Sequence, residues 1–312
     1  MLETRFKVAL LLAVLFFTSL PVMGILRGTS RPPQDPLPPS SAGEEAASPT
    51  GDETKKENPR PDEMVRISRG FFVRGTMAGG YDEKPERRID LDAYSIDRYE
   101  VTNHQYQEFV TATGHRKAVP PSRYAKNMAR MRGVNQPVVY VSWDDAETYC
   151  RWKGKRLPTE AEWEKAVRGV DGRRWPWGNE PNVLASNWSH PNDGFEVTAP
   201  VGSFRQDVSP FGVADGSGNV MEWVSDWYRE DAYSDPLERN PKGPDLGVYK
   251  VLRGGGYTST GTDVRITSRS RMVPDFRDET IGFRCAVSEL DRGQGTGTPG
   301  EPNLTENQSS RG

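Results

Sequence analysis

Only two cysteines, Cys150 and Cys285, and three histidines, His104, His115 and His190, occur among the 312 residues. No H-x-x-H or H-x-x-x-H pair is present, so metal sites built on histidine have little support. Charge of one sign is missing as well. The chain has 41 Lys and Arg against 44 Asp and Glu, a net charge of −3. Without a basic field there is no electrostatic footprint for nucleic acid. The local cluster Arg151, Lys153, Lys155 and Arg156 reads as a solvated face with short ion pairs. No internal repeat of 20–50 residues is visible, which argues against a solenoid. Gly254-Gly255-Gly256 lacks the Lys and Ser/Thr of a phosphate loop, and Gly216-Ser217-Gly218 is not a nucleophile elbow.

Long apolar runs are also absent. The longest begins at Val8 and ends at Phe17, short of the roughly 20 residues of a membrane span. Arg5 and Lys7 precede it, and the small Val22 and Gly24 follow, as in an export signal cleaved after Gly24. Val22-Met23-Gly24-Ile25-Leu26 prolongs the run, so an uncleaved anchor stays open. Either way the following domain is expected to be exported, tethered to a membrane or free. Residues 27–61 are rich in Pro, Ser, Glu and Lys, and residues 291–312 in Gly, Thr, Asn, Gln and Ser. Neither stretch has the apolar surface to offset chain entropy, so both are expected to be disordered. The expected organisation is a leader or anchor over 1–26, a Pro-rich linker over 27–61, one domain over 62–290 and a tail over 291–312.

Within the domain, residues 65–67 and 70–74 read as strands. Residues 89–97 alternate with period two and read as one half-buried strand. Thr102 caps a first helix carrying Tyr106, Phe109 and Val110, and Gly114 ends it. Residues 137–141 form an apolar extended segment. Ser142 caps a second helix bearing Ala146, Tyr149 and Cys150, with Asp144, Asp145 and Glu147 at its dipole-positive end. Thr159 and Glu162 make a capping box for a third, with Trp163, Ala166 and Val167 on its apolar stripe and Gly169 at its end. Beyond Gly169 regular period is lost in a long aromatic stretch that includes Trp175-Pro176-Trp177-Gly178 and Asn187-Trp188. Residues 220–227, 251–253, 265–268 and 281–287 read as strands. The fold class is α+β with little regular structure.

Four runs stand in order along this block: Leu157-Pro158-Thr159-Glu160-Ala161-Glu162-Trp163-Glu164-Lys165-Ala166, Gly218-Asn219-Val220-Met221-Glu222-Trp223, Arg253-Gly254-Gly255-Gly256-Tyr257 and Gly282-Phe283-Arg284-Cys285. Together they resemble the formylglycine-generating enzyme, or sulfatase-modifying factor, family. The resemblance covers about residues 62–290 and implies an elaborated C-type-lectin-like α+β fold. The family's enzyme oxidises a cysteine in another protein with a cysteine pair and copper. The matching positions here are Ser259 and Val264, and a hydroxyl and an isopropyl do not hold Cu(I), which wants soft thiolates. No copper chemistry is therefore expected. Related sulfoxide synthases carry an iron-binding His cluster in a separate helical domain. Nothing of that kind precedes residue 62, so no iron is expected either.

From the residues alone, Cys150 and Cys285 are two buried thiols or a bridge. The resemblance implies the bridge. It also implies Ca²⁺ at two places. One set is Asn187, the Trp188 carbonyl, Asp193 and the Phe195 carbonyl. The other is Asp215, the carbonyls of Gly216, Gly218 and Val220, and Glu222. Hard oxygen ligands suit that ion. The plainer reading gives Asp193 and Asp215 to Asx-turns and Glu222 to an arginine. The sequons at Asn187, Asn303 and Asn307 matter only where the host glycosylates them. Arg253, Arg265, Arg269, Arg271 and Arg284 are expected mostly to pair with carboxylates such as Asp226, Asp275 and Asp278. One or two would face a ligand, in a groove of Tyr257, Ser259, Arg265 and Arg269. The resulting expectation is an exported domain without oxidase activity that binds a protein, peptide or small ligand. The alternatives are an enzyme of other chemistry on the same scaffold, as in siderophore maturation, and an envelope accessory protein.

Overall fold

The computed structural model describes Arg60 and residues 62–120, 128–190 and 192–289. The expected leader and tail, and all of the linker but Arg60, lie outside them. No helix among the described residues is long and apolar enough to cross a membrane.

Three helices form where the capping signals stand: α1 (Asn103–Thr113), α2 (Trp143–Trp152) and α3 (Glu160–Arg168). Each opens on a complete capping box, from Thr102 and Gln105, Ser142 and Asp145, and Thr159 and Glu162. Reciprocal bonding of two orphan amides makes such short helices stop and start sharply. α1 ends at Gly114 in the left-handed conformation.

Among the described residues, nine short strands make three sheets. β1 (Met64–Ile67), β4 (Tyr94–Asp97) and β9 (Ala286–Ser288) pair antiparallel in the order β1-β4-β9. β2 (Gly70–Arg74) and β3 (Arg87–Leu91) form a two-stranded pair. β5 (Met221–Trp227), β6 (Lys250–Arg253), β7 (Arg269–Met272) and β8 (Ile281–Phe283) form a sheet in the order β7-β6-β5-β8, with β8 parallel to β5.

Three expected strands come out differently. Residues 89–97 are two strands in two sheets. The chain turns at Asp92-Ala93, where Asn240 Oδ1 accepts the Asp92 amide at 2.9 Å. Residues 281–287 are likewise split, because Arg284 and Cys285 cross from the β5 sheet to the β4 sheet. Residues 265–268 are turns, and β7 begins only at Arg269. The apolar Ile266 is in the core, but its amide bonds the Arg174 carbonyl of a distant loop.

Two apolar clusters hold these layers. α3 lays Ala161, Trp163, Ala166 and Val167 against Phe72, Ile89, Tyr94, Val224, Val251 and Ile266. The faces of α1 and α2 pack with Trp223, Leu252 and Phe283 in the second. Each large side chain so buried contributes roughly 1.5–3 kcal/mol. The disulfide lies in the second cluster. Cys150 of α2 and Cys285 have Cα atoms 5.6 Å apart, and both are fully buried.

Candidate binding site

The irregular third of the chain builds a cavity of about 380 Å³ against the turn that follows β6. Trp175, Trp177 and Trp188 line it, with Pro181, Asn182, Val183, Thr260, Gly261, Thr262 and Val264. A tight turn makes the first two indoles usable together. The Trp175 and Gly178 backbones bond each other in both directions, at 3.0 and 2.9 Å. Their rings then lie 5.9 Å apart and 5° from parallel. The opposite wall depends on a missing side chain. A Cβ at Gly261 would sit 3.1 Å from the Trp188 ring. No charged side chain is among the lining residues.

The polar lining groups are largely committed. Asn182 gives its Nδ2 to Gln206 at 2.6 Å and takes the Leu184 amide at 3.0 Å. Thr260 Oγ1 donates to Asp263 at 2.6 Å, and Trp177 Nε1 to the Glu180 carbonyl at 3.0 Å. What the cavity offers is aromatic and aliphatic surface.

The expected groove residues are only partly at this place. Val264 is in its wall, and Ser259 lies one residue before Thr260. Ser259 Oγ accepts the Gly256 amide at 3.0 Å, and its carbonyl takes the Ser189 amide at 3.0 Å. Tyr257 is instead buried in a third cluster with Met128, Met131, Tyr140 and Val220. Arg265 turns away to Glu83, with both Nη atoms at 2.8 Å. Arg269 has no exposed side-chain surface and reaches Glu160 at 2.6 and 3.1 Å. Neither arginine lines the cavity. Arg271 lies over the Tyr228 ring, at 4.4 Å.

The arginine partners also differ from the expected Asp226, Asp275 and Asp278. Glu160 takes Arg74, Arg253 and Arg269, while Glu164 takes Arg168, Arg253 and the Tyr233 hydroxyl. Burial works to raise Glu160, but attraction to Arg269, Arg253 and Arg74 outweighs it and holds the carboxyl at about 2. Glu83 is held at about 2 as well. Burial again opposes, and hydrogen bonds from Arg265, Thr267 and Gly80 win. Asp226 moves the other way. Burial, then repulsion from Glu160, pushes it up to about 6.

These opposite shifts set a pH optimum for stability. Glu83 and Glu160 bind protons less tightly folded than unfolded, so their contribution is present above about pH 4.5 and lost as pH falls toward 2. Asp226 binds its proton more tightly when folded, so stability falls as pH rises from about 4 through 6. Urea midpoints should therefore peak near pH 4–5. Burial raises Glu100, Asp207 and Asp215 too, so Asp226→Asn should remove only its own share of the decline between pH 4 and 6, on the order of 2 kcal/mol. An unchanged slope in that variant would remove Asp226 from the account.

The two calcium sets fare unequally. In the first, Asn187 Oδ1 and Asp193 Oδ2 are buried with no hydrogen-bond partner among the described residues. Asn187 Nδ2 points the other way, to the Val197 carbonyl at 3.0 Å and Asn219 Oδ1 at 3.1 Å. Asp193 Oδ1 forms an Asx-turn with the Phe195 amide at 2.9 Å. Two orphan hard oxygens fit a hard cation. In the second set Glu222 is already spent. Arg284 Nη2 and Nε reach its two oxygens at 2.7 Å each, and Trp163 Nε1 donates at 2.9 Å. Asp215 accepts the Gly202 amide at 2.6 Å, and Gly218 has φ 89° with its Cα against the Asn187 carbonyl. That set does not fit the ion. Among the described residues no group of three or more His, Cys, Asp or Glu is arranged to hold a metal. Copper does not fit, since both cysteines are bonded to each other and leave no thiolate. Asn187 is 1% exposed with its Nδ2 engaged, so the folded chain does not present that sequon. Asn303 and Asn307 lie outside the described residues.

The tryptophans are what the reading of the sequence missed. It placed them in a loop-rich stretch and gave their indoles no role, naming only the Trp188 carbonyl as a calcium ligand. The available signal was three indoles within 14 residues of polar, irregular chain, where loops rarely hold them without a purpose.

Comparison with known proteins agrees with this architecture. Residues 50–289 match the sulfatase-modifying factor enzyme 1-like domain. The formylglycine-generating enzyme of Streptomyces coelicolor is 36% identical over 72% of this chain and 88% of its own. A protein named serine/threonine-protein kinase pkn1, from Chlamydia pneumoniae, is 36% identical over 75% of this chain, which spans only 40% of that protein's length. The structure of PvdO from Pseudomonas aeruginosa superposes with a TM-score of 0.64, at 28% identity, over 72% of this chain and 94% of PvdO. The motifs, the α+β fold and these likenesses agree, and the chain belongs to the formylglycine-generating enzyme, or sulfatase-modifying factor, family.

Proposed function

We propose that this chain is an exported family member without cysteine-oxidase activity, and that it binds a protein, peptide or small ligand in the tryptophan-lined cavity. The observation that carries the reading is the cavity itself. It stands beside Ser259 and includes Val264, the two positions that match the catalytic cysteines, and it is walled by three indoles and no titratable group. Without a thiolate there is no ligand for Cu(I). Without an acid or base in the lining, proton transfer has no agent there. An apolar, aromatic recess is the usual form of a small-ligand binding site. Export is supported by the leader-like residues 1–26 and by the disulfide, which persists in oxidising compartments.

Two measurements test this. Purified protein, supplied with copper and a cysteine-containing sulfatase peptide, should yield no formylglycine by mass spectrometry. Any conversion above the copper-only control would end the non-oxidase reading. The neutral apolar dye N-phenyl-1-naphthylamine should bind saturably, and Trp177→Ala should weaken it about tenfold or more. Trp177 is half-exposed, so this variant should keep its fold.

The proposal includes one Ca²⁺ held by Asn187, Asp193 and the neighbouring carbonyls of Trp188 and Phe195. The ion would fasten the loop that carries Trp188. Calcium should raise the melting temperature over chelator, and Asp193→Ala should abolish the difference. Equal melting temperatures in the wild-type protein would remove the ion from this reading.

A further inference from the structure

A second, smaller recess shares two chain segments with the tryptophan cavity. Arg174 and Trp175 are consecutive, as are Val264 and Arg265, and one member of each pair lines each recess. The Ile266 amide ties the two segments together at the Arg174 carbonyl, 3.0 Å away. The second recess has a volume of about 150 Å³. That is roughly the liquid volume of five waters, room for the heavy atoms of one sulfate or phosphate.

Its chemistry is the reverse of the first. Arg168, Arg174 and Arg265 line it with Thr76, Thr267 and Asn179, and no Asp or Glu is among the lining residues. Two of the guanidiniums are fixed at the wall. Arg168 Nη2 donates to the carbonyl of Gly172, itself a lining residue, at 2.9 Å. Its other nitrogens are spent on the carbonyls of Arg173, Val73 and Gly75 and on Glu164. Arg265 Nη1 donates to the lining Thr267 Oγ1 at 3.2 Å, and both its Nη atoms reach Glu83. Each Nη2 carries two hydrogens and has a single partner among the described residues, so one donor is left on each.

The carboxylates behind this wall are shared out among many arginines. Glu164 serves Arg168 and Arg253, and Glu160 serves Arg74, Arg253 and Arg269. Arg174 adds a further cation. Its amide donates to Asn179 Oδ1 at 3.0 Å, which holds its backbone. Its side chain is exposed, and its guanidinium has no partner among the described residues. The same bond uses the acceptor end of Asn179, so the amide left over there is a donor.

We infer that this recess binds a tetrahedral oxyanion, a sulfate or phosphate group, either free or at the end of an ester. Arg168 and Arg265 supply a preformed cationic wall, and Arg174 turns over the anion as the movable third arm. Guanidinium forks match the oxygens of such groups, and charge-assisted bonds are about twice as strong as neutral ones. A cation would face three like charges here with no carboxylate in the lining. The site is separate from the tryptophan cavity and stands or falls independently of the binding reading above.

Isothermal titration calorimetry of the full chain tests this, with ionic strength held constant by sodium chloride. The probes are sodium sulfate, sodium phosphate and phenyl phosphate. Saturable binding is expected, with a dissociation constant of about 1 mM or tighter. Perchlorate, tetrahedral but singly charged, should bind about tenfold more weakly. Arg174→Gln should lower the affinity about tenfold or more, and Arg174→Lys should restore part of it. Because the Arg174 side chain is exposed and unpartnered, both variants should melt as the wild-type protein does.

Binding of the inorganic ions would support a site for the free anion, and binding of phenyl phosphate alone would support a site for an ester terminus. Absence of saturable heat with all three probes overturns the inference, as does perchlorate binding as tightly as sulfate and phosphate. An undiminished affinity in Arg174→Gln overturns it too. None of these results alters the dye measurement on the tryptophan cavity.

Discussion

Replacing Arg284 by leucine should lower the stability of the domain by about 3–5 kcal/mol, the usual cost of stripping one partner from a buried ion pair. Arg284 has no exposed side-chain surface. Besides both oxygens of Glu222, it reaches the carbonyls of Asp97, Arg98 and Asp215, at 3.3, 2.9 and 3.0 Å. Around it stand Glu100, Asp207 and Asp215, each at most 2% exposed. Burial pushes all three of these carboxyls up; repulsion from Asp215 adds to it at Glu100 and Asp207, and repulsion from Glu222 at Glu100 and Asp215. Arg284 attracts all three. Its removal leaves Glu222 without a cation and takes one donor each from three backbone carbonyls. For a domain of this size the melting temperature should drop by roughly 6–20 °C. Urea denaturation of Arg284→Leu and Arg284→Lys would show whether charge alone suffices. Lysine lacks the planar fork and should recover only part of the loss. A deficit below about 1 kcal/mol in the leucine variant would mean that this pair is dispensable.

The double variant Cys150→Ala/Cys285→Ala should lose a comparable amount by a different route. The bridge spans 135 residues of sequence. In the chain-entropy picture, opening a loop of that length costs about 5 kcal/mol, less whatever strain is relieved. The alanines leave the second apolar cluster nearly filled, so most of the effect should come through the unfolded state. Two observables distinguish this from simple loss of packing. The urea m-value should rise as the unfolded chain expands, and the unfolding rate should change less than the folding equilibrium. A variant with wild-type midpoint and m-value would show that the bridge is incidental. Reductant added to the native protein should do little, because both sulfurs are fully buried.

Local signals in the sequence were sufficient for the helices. Each capping box is complete within four residues, and Ala146 and Cys150 on α2, like Trp163 and Val167 on α3, lie one turn apart. Nothing distant is needed to start or stop such a helix. The family's α+β fold was legible from four motifs in order. The Cys150–Cys285 bridge was implied by two of them.

Strand ends were less legible. Period-two alternation at residues 89–97 continues through Asp92, and the strand-like run 281–287 continues through Arg284, where the chain changes sheets. Ile89 and Leu91 before the first change and Tyr94 and Ile96 after it bury in the same cluster. A change of hydrogen-bonding partner leaves no trace in hydropathy.

Arginine partners and the binding cavity were decided only in three dimensions. An arginine side chain reaches any carboxylate that the fold brings within a few ångströms, so sequence does not tell Glu160 from Asp226 as the partner of Arg269. The choice follows from which pair is desolvated together. The cavity joins Trp175 and Trp177 to Trp188 and to Thr260, Gly261 and Thr262, across irregular chain without period. Sequence by itself determined which local elements form and to which family of shapes they belong, since these depend on neighbours along the chain. The tertiary structure decided which charges meet and where three indoles enclose a space, since these depend on neighbours that only folding supplies.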